Sequence, residues 1–223
     1  MTLRSASMAC AVLACALLAQ GAAFQSATAA ETATREQALA ALYSKDASQR
    51  RDAVDGLGRL GQTADADLLL EALYDADLDV RVHAESAVWR LWSRSGDPDV
   101  DTLLASGVHQ MNEGHMGQAV ETFTRVTERK PEFAEGWNKR ATAYYLMGDY
   151  EQSLKDCDQV MQRNPHHFGA LSGYGLIYVR LGELERALEY FQRALEINPN
   201  LEGVQQTIEL IRYKLGKDGK HDT

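Results

Sequence analysis

Along most of the chain apolar residues recur at three- and four-residue intervals with charged residues between them, the period of helices that bury one face. Strict alternation is missing, because Val, Ile and Thr do not cluster into runs of strand length. Glycines fall at the joints between periodic stretches, and prolines stand where a stretch must end. The pattern predicts an all-α chain. Met8 to Ala19 departs from it, being apolar throughout with no polar stripe.

That run sits in a segment laid out like a secretory signal. Arg4 is the only charged residue of the first thirty, and Ser26-Ala27-Thr28-Ala29-Ala30 offers small residues for cleavage after Ala29 or Ala30. The run is shorter than the roughly 20 residues that span a bilayer, so no membrane span is expected. Val12-Leu13-Ala14-Cys15 loosely resembles a bacterial lipobox, yet Cys15 lies inside the apolar run instead of at its end, so lipoprotein anchoring is not expected. Cleavage would remove Cys10 and Cys15 and leave Cys157 alone, which excludes an intramolecular disulfide. The expected location is the periplasm or the extracellular space of a bacterium.

Self-similarity is the strongest signal. Pro131, Pro165 and Pro199 are 34 residues apart, and so are Gly114, Gly148 and Gly182. The same spacing links Ala119, Ser153 and Ala187, then Phe123, Cys157 and Phe191, then Leu103, Trp137 and Leu171. Each copy predicts a helix, a glycine turn, a second helix and a proline exit; in the middle copy the helices span Ala134 to Met147 and Tyr150 to Arg163. Small residues (Ala141 and Gly175 in first helices, Ala119 and Ala187 in second helices) mark close approaches of the axes.

With Trp137, Tyr144, Gly148, Tyr150 and Pro165 in one copy, and Gly175, Tyr178, Gly182, Ala187, Phe191, Ala194 and Pro199 in the next, the segment resembles tetratricopeptide repeats. The resemblance covers about residues 100 to 201 and implies a right-handed α-solenoid that binds other proteins. Upstream, residues 50–60 and 81–91 align with an offset of 31, pairing Ala53 with Ala84, Arg59 with Arg90 and Leu60 with Leu91. Together with Asp77-Leu78-Asp79-Val80-Arg81 this resembles short HEAT-like repeats. Thr34 and Gln37 have capping-box spacing for a leading helix. Trp89 and Trp92, three residues apart, would line a hydrophobic seam joining the two arrays into one superhelix. The expected organisation is a signal at 1–30, HEAT-like repeats at 31–97, three tetratricopeptide-like repeats at 98–201, a capping helix at 202–216 ended by Gly216, and a polar tail at 217–223.

Charge narrows the function. With 32 acidic and 23 basic residues the net charge is −9, so nucleic acid is not an expected partner. Phosphate loops, nucleophile elbows and His-Glu-x-x-His motifs are missing from the sequence. Cys157 falls at a core register shared with Phe123 and Phe191. His166-His167 reads as a solvated turn, and Asp156 and Asp158 as a solvated helix face, so no metal or other cofactor is expected.

What the resemblance offers is a concave wall. Projecting the helical period onto it places there Leu104, Val108 and Met111 from the first repeat, Asn138, Thr142 and Tyr145 from the second, and Ser172, Leu176, Val179 and Arg180 from the third. The expectation is a non-enzymatic adaptor or scaffold that binds a protein or peptide through apolar anchors in this groove, its oligomeric state left open. The alternative is an enzyme or enzyme subunit akin to the phycobilin lyases, in which HEAT-like repeats also occur.

Overall fold

The computed structural model describes residues 34–218; the expected signal at 1–30 and the end of the polar tail at 219–223 lie outside them. Among the described residues all regular structure is helical. The helices are α1 (Arg35–Ala41), α2 (Ala47–Leu60), α3 (Ala66–Glu71), α4 (Leu78–Trp92), α5 (Pro98–Asn112), α6 (Met116–Arg129), α7 (Ala134–Met147), α8 (Tyr150–Arg163), α9 (Phe168–Leu181), α10 (Leu184–Ile197) and α11 (Glu202–Asp218).

Helices α5 to α10 form three antiparallel-type pairs whose joints repeat with the sequence. Gly114, Gly148 and Gly182 each have φ of 81°, the left-handed turn that an L side chain resists. Second helices stop at Arg129, Arg163 and Ile197, and the following Lys130, Asn164 and Asn198 leave the helical region, the two asparagines being extended, because each precedes a proline. Within a pair the crossing is set by complementary size. A Cβ on Gly107 would lie 2.4 Å from the Phe123 ring, and one on Gly175 would lie 2.4 Å from the Phe191 ring. The middle pair keeps the contact with Ala141 and the smaller Cys157, both buried. The molecule is an α-solenoid over this stretch.

The upstream helices repeat their own local chemistry at the offset of 31. Asp46 caps α2 and Asp77 caps α4, each accepting backbone N–H bonds. Arg50 donates to the Ser44 carbonyl and Arg81 to the Asp75 carbonyl, the same lead-in position in each unit. Arg50 also grips Asp75 through two bonds of 2.7 Å, tying one unit to the next. The Thr34–Gln37 capping box forms at the start of α1.

This N-terminal block joins the repeats where the tryptophans predicted a seam, but it does not simply continue the stack. It lies across the turns between repeats, which the period of 34 places along one edge. Trp89 and Trp92 meet edge to face at 5.7 Å, and both pack at 5.1 Å from Phe168. Gly169 admits Trp89, since a Cβ there would lie 2.4 Å from the indole. Arg81 donates to Asn200 Oδ1, Asn200 donates to the Leu73 carbonyl, Asn198 donates to Glu85, and the Tyr74 hydroxyl donates to the Glu196 carbonyl. One hydrophobic cluster runs from Val54, Leu57 and Leu73 through Val88 and Leu91 to Phe168, Leu171 and Ala194. At the other end α11 buries Ile208 and Ile211 against the last pair and continues through Gly216 to Asp218, so glycine does not stop it there.

Candidate functional site

The wall is built by the first helix of each pair, α5, α7 and α9. An α-helix repeats every 3.6 residues, so positions three and four apart share a face. Nine of the ten residues expected on the wall divide into three groups, and the tenth, Arg180, is exposed beside Tyr145. Leu104 is only 5% exposed and packs with Val100, Phe123 and Ala143 inside the solenoid, which corrects its expected role as a partner anchor. Val108, Met111 and Val179 are half-buried against the same internal clusters. Asn138, Thr142, Tyr145, Ser172 and Leu176 line one cleft of about 130 Å³ between α7 and α9, floored by Cys157 and Gly173.

In that cleft Leu176 is 40% exposed, and it is the wall's open apolar contact. Thr142 and Ser172 return their hydroxyls to carbonyls one turn earlier, so their outward surface is largely methyl or methylene. Tyr145 bridges repeats: Arg180 Nε donates to its hydroxyl at 3.2 Å, with the guanidinium 5.9 Å from the ring centre. Ser172 and Leu176 also border a second cleft of about 370 Å³, shared with Glu85 of α4 and the start of α11. The third-repeat side of the wall is therefore framed by the chain's own ends, while the face between α7 and α9 stays open.

A buried polar cluster at the turn edge corrects the reading of His167 as solvated. His167 and Glu135 are fully buried and meet at 3.1 Å through Nε2 and Oε2. The Ala170 N–H donates to His167 Nδ1, so the proton sits on Nε2 and is donated to the carboxylate. Asn138 donates to the same oxygen at 2.9 Å, and the Lys139 ammonium stands 2.9 Å from Oε1, at ion-pair distance but off the hydrogen-bonding line. Burial pushes the Glu135 carboxyl up, but the bond from His167 and the charge of Lys139 outweigh it and hold the carboxyl below its ordinary range. Trp92 stacks on His167 at 4.6 Å. A Glu with Asn and Lys three and four residues on hinted at a polar patch, but the sequence had no local signal for a partner 32 residues away.

Asp156 is likewise not solvated. It accepts two bonds of 2.8 Å from Arg140, which also reaches Thr124 and Thr127 and so staples α6, α7 and α8. Asp158 accepts from the Tyr174 hydroxyl. Cys157 is buried as its register implied, and burial with two flanking aspartates pushes its thiol up to about 12. His109, His115 and His166 are exposed. Among the described residues no helix is long and apolar enough to cross a membrane.

Comparison with known proteins agrees with this geometry. Family models described as tetratricopeptide repeat match residues 132–200 and 104–159. Residues 104–200 carry tetratricopeptide repeats. A tetratricopeptide repeat-containing protein of Rhizobium etli is 30% identical over 70 residues, 31% of this chain and 34% of that relative, so the chain spans about a third of the relative's length. Among solved structures, the first repeat domain of Spaghetti bound to an HSP90 peptide superposes with a TM-score of 0.51 at 23% identity, covering 52% of this chain and 93% of that one. The Sgt2 repeat domain of Aspergillus fumigatus gives 0.53 at 21% identity, covering 56% and 83%. A repeat domain of yeast Sti1 in a pHsp70 complex gives 0.50 at 19% identity, covering 53% and 99%. At these identities the likeness establishes the tetratricopeptide fold.

Proposed function

We propose that the protein is an exported, non-enzymatic adaptor that holds a protein or peptide partner against the wall of its tetratricopeptide repeats. The observation that carries the reading is the open cleft between α7 and α9, where Leu176 and Tyr145 offer apolar contact and Arg180 a cation beside it. A peptide bound to the related Spaghetti domain supports the class of partner. In this reading residues 31–97 are HEAT-like helix pairs that brace the repeats, and the matching caps and arginine contacts of the two units favour it. Export rests on the signal-like first thirty residues.

The test is capture of the partner from a native envelope fraction, followed by titration of the purified pair. Tyr145→Ala should weaken binding by about 1–2 kcal/mol, and Leu176→Asp by more, since it sets an unpaired charge against an apolar surface. Arg180→Ala should show a smaller, salt-dependent loss. Unchanged affinity in all three, with melting like the parent, would sink the reading.

A further inference from the structure

A second cavity lies away from the wall, in the crevice where the N-terminal block crosses the first two turns between repeats. Its volume is about 450 Å³, within the range of small-molecule sites. Leu91, Trp92 and Phe133 give it an apolar side. Three cations line it from separate segments, Arg94 from the link after α4, Lys130 from the first turn and Arg163 from the end of α8, against two carboxylates, Glu132 and Glu135.

The chain neutralises these cations only in part, through Glu132, and the Arg163 guanidinium also lies 4.7 Å from the Trp137 ring centre. Arg94 donates through Nη1 and Nη2 to the carbonyls of Arg59 and Gly61, and Arg163 donates through Nε and Nη1 to the Pro131 carbonyl and to Gln159. Among the described residues neither guanidinium has a carboxylate within ion-pair distance, and Arg163 Nη2 and Arg94 Nε make no hydrogen bond. Lys130 has only Glu132, 3.9 Å away. The acids nearby are committed elsewhere: Asp97 and Asp99 to Arg129, Asp101 to the Ser95 N–H, and Glu135 to His167, Asn138 and Lys139. In a chain of net charge −9, a crevice with surplus cations and free donors beside an indole and a phenyl ring is built for the opposite charge on an apolar body.

We propose that this crevice is a binding site for a small amphiphilic carboxylic acid. The carboxylate sits between Lys130 and Arg163, and the hydrocarbon lies along Leu91, Trp92 and Phe133. The site is independent of the partner wall, sharing none of the residues that line the cleft between α7 and α9.

The experiment titrates the full protein with decanoate, and with decanol as the uncharged match, by calorimetry and tryptophan fluorescence. Decanoate should bind saturably at one site and perturb the tryptophan emission, with decanol weaker by about tenfold or more, because hydrogen bonds to a charged group exceed neutral ones. Lys130→Gln and Arg163→Gln should each weaken decanoate about fivefold and flatten its salt dependence. Tyr145→Ala should leave it unchanged. Absence of saturable binding up to about 1 mM, equal binding of decanol, unchanged affinity in both charge variants, or loss in Tyr145→Ala would each overturn the proposal. Should Arg163→Gln melt early for want of its Pro131 contact, Lys130→Gln decides alone, since Lys130 makes only the long contact to Glu132.

Discussion

Replacing Gly175 by alanine adds one methyl group where α9 crosses α10. A Cβ built there lies 2.4, 2.5 and 2.7 Å from three ring carbons of Phe191, which is 1% exposed and has no room to retreat. Overpacking of this kind costs about 1–3 kcal/mol, and three simultaneous clashes with a confined ring argue for the upper end. Alanine returns about 1 kcal/mol through its helix propensity. The expected net result is a loss of about 2 kcal/mol. Gly173, two residues earlier on the same helix, is an internal control, because a Cβ there meets only Cys157 Sγ at an ordinary 3.6 Å. Gly173→Ala should therefore gain up to about 1 kcal/mol. Urea melts followed by far-ultraviolet circular dichroism would measure both, and a Gly175→Ala protein as stable as the parent would refute the close approach. A double variant extends the test. Phe191→Cys alone should cost about 3–5 kcal/mol for the void it leaves, yet combined with Gly175→Ala it recreates the Ala141–Cys157 pair and should lose less than the two single changes added together.

Glu135→Gln should cost about 3 kcal/mol at neutral pH, since it leaves Lys139 and His167 without their charged partner. The Glu135 carboxyl is held below its ordinary value of 4.5 in the folded protein, so its contribution is complete above that value and fades as pH falls below it. The gap in urea midpoint between parent and variant should thus stay flat from pH 7 to about 5 and narrow at lower pH; a constant gap down to pH 3 would contradict the pairing. Cys157, with its thiol pushed up to about 12 and its side chain buried, should react with Ellman's reagent at pH 8 at least about a hundredfold more slowly in native protein than in urea, and equal rates would show the thiol to be open.

Helix limits were legible wherever the chain carries its own stop and start chemistry. The 34-residue period placed α7 at Ala134–Met147 and α8 at Tyr150–Arg163, because glycine in the left-handed region and a residue held extended before proline act through their own backbone. The caps at Thr34 and Asp77 were readable for the same reason, since each bonds a backbone N–H two or three residues away. Gly216 marks the limit of such signals: a glycine inside a helix costs only about 1 kcal/mol, and α11 runs past it while its apolar face packs on the last repeat.

The candidate site was legible only in part. Helical period put Asn138, Thr142, Tyr145, Ser172 and Leu176 on one face, and the fold gathers these five into a cleft. It could not tell that Leu104, on the same projected stripe, turns into the core beside Phe123, because a difference of one helical position separates the wall from the interior.

What the sequence determined by itself was therefore the repeat unit: its helices, its turns, and the small and large residues that fix each crossing. What tertiary structure alone decided was how the N-terminal block lies on those repeats, and with it the burial of His167 and the crevice at Arg94, Lys130 and Arg163. Those features depend on pairs such as Arg81 with Asn200 and Trp92 with His167, far apart in sequence. Local chemistry sets backbone angles and exposes a face, but which distant surface covers that face follows from the summed packing of the whole chain.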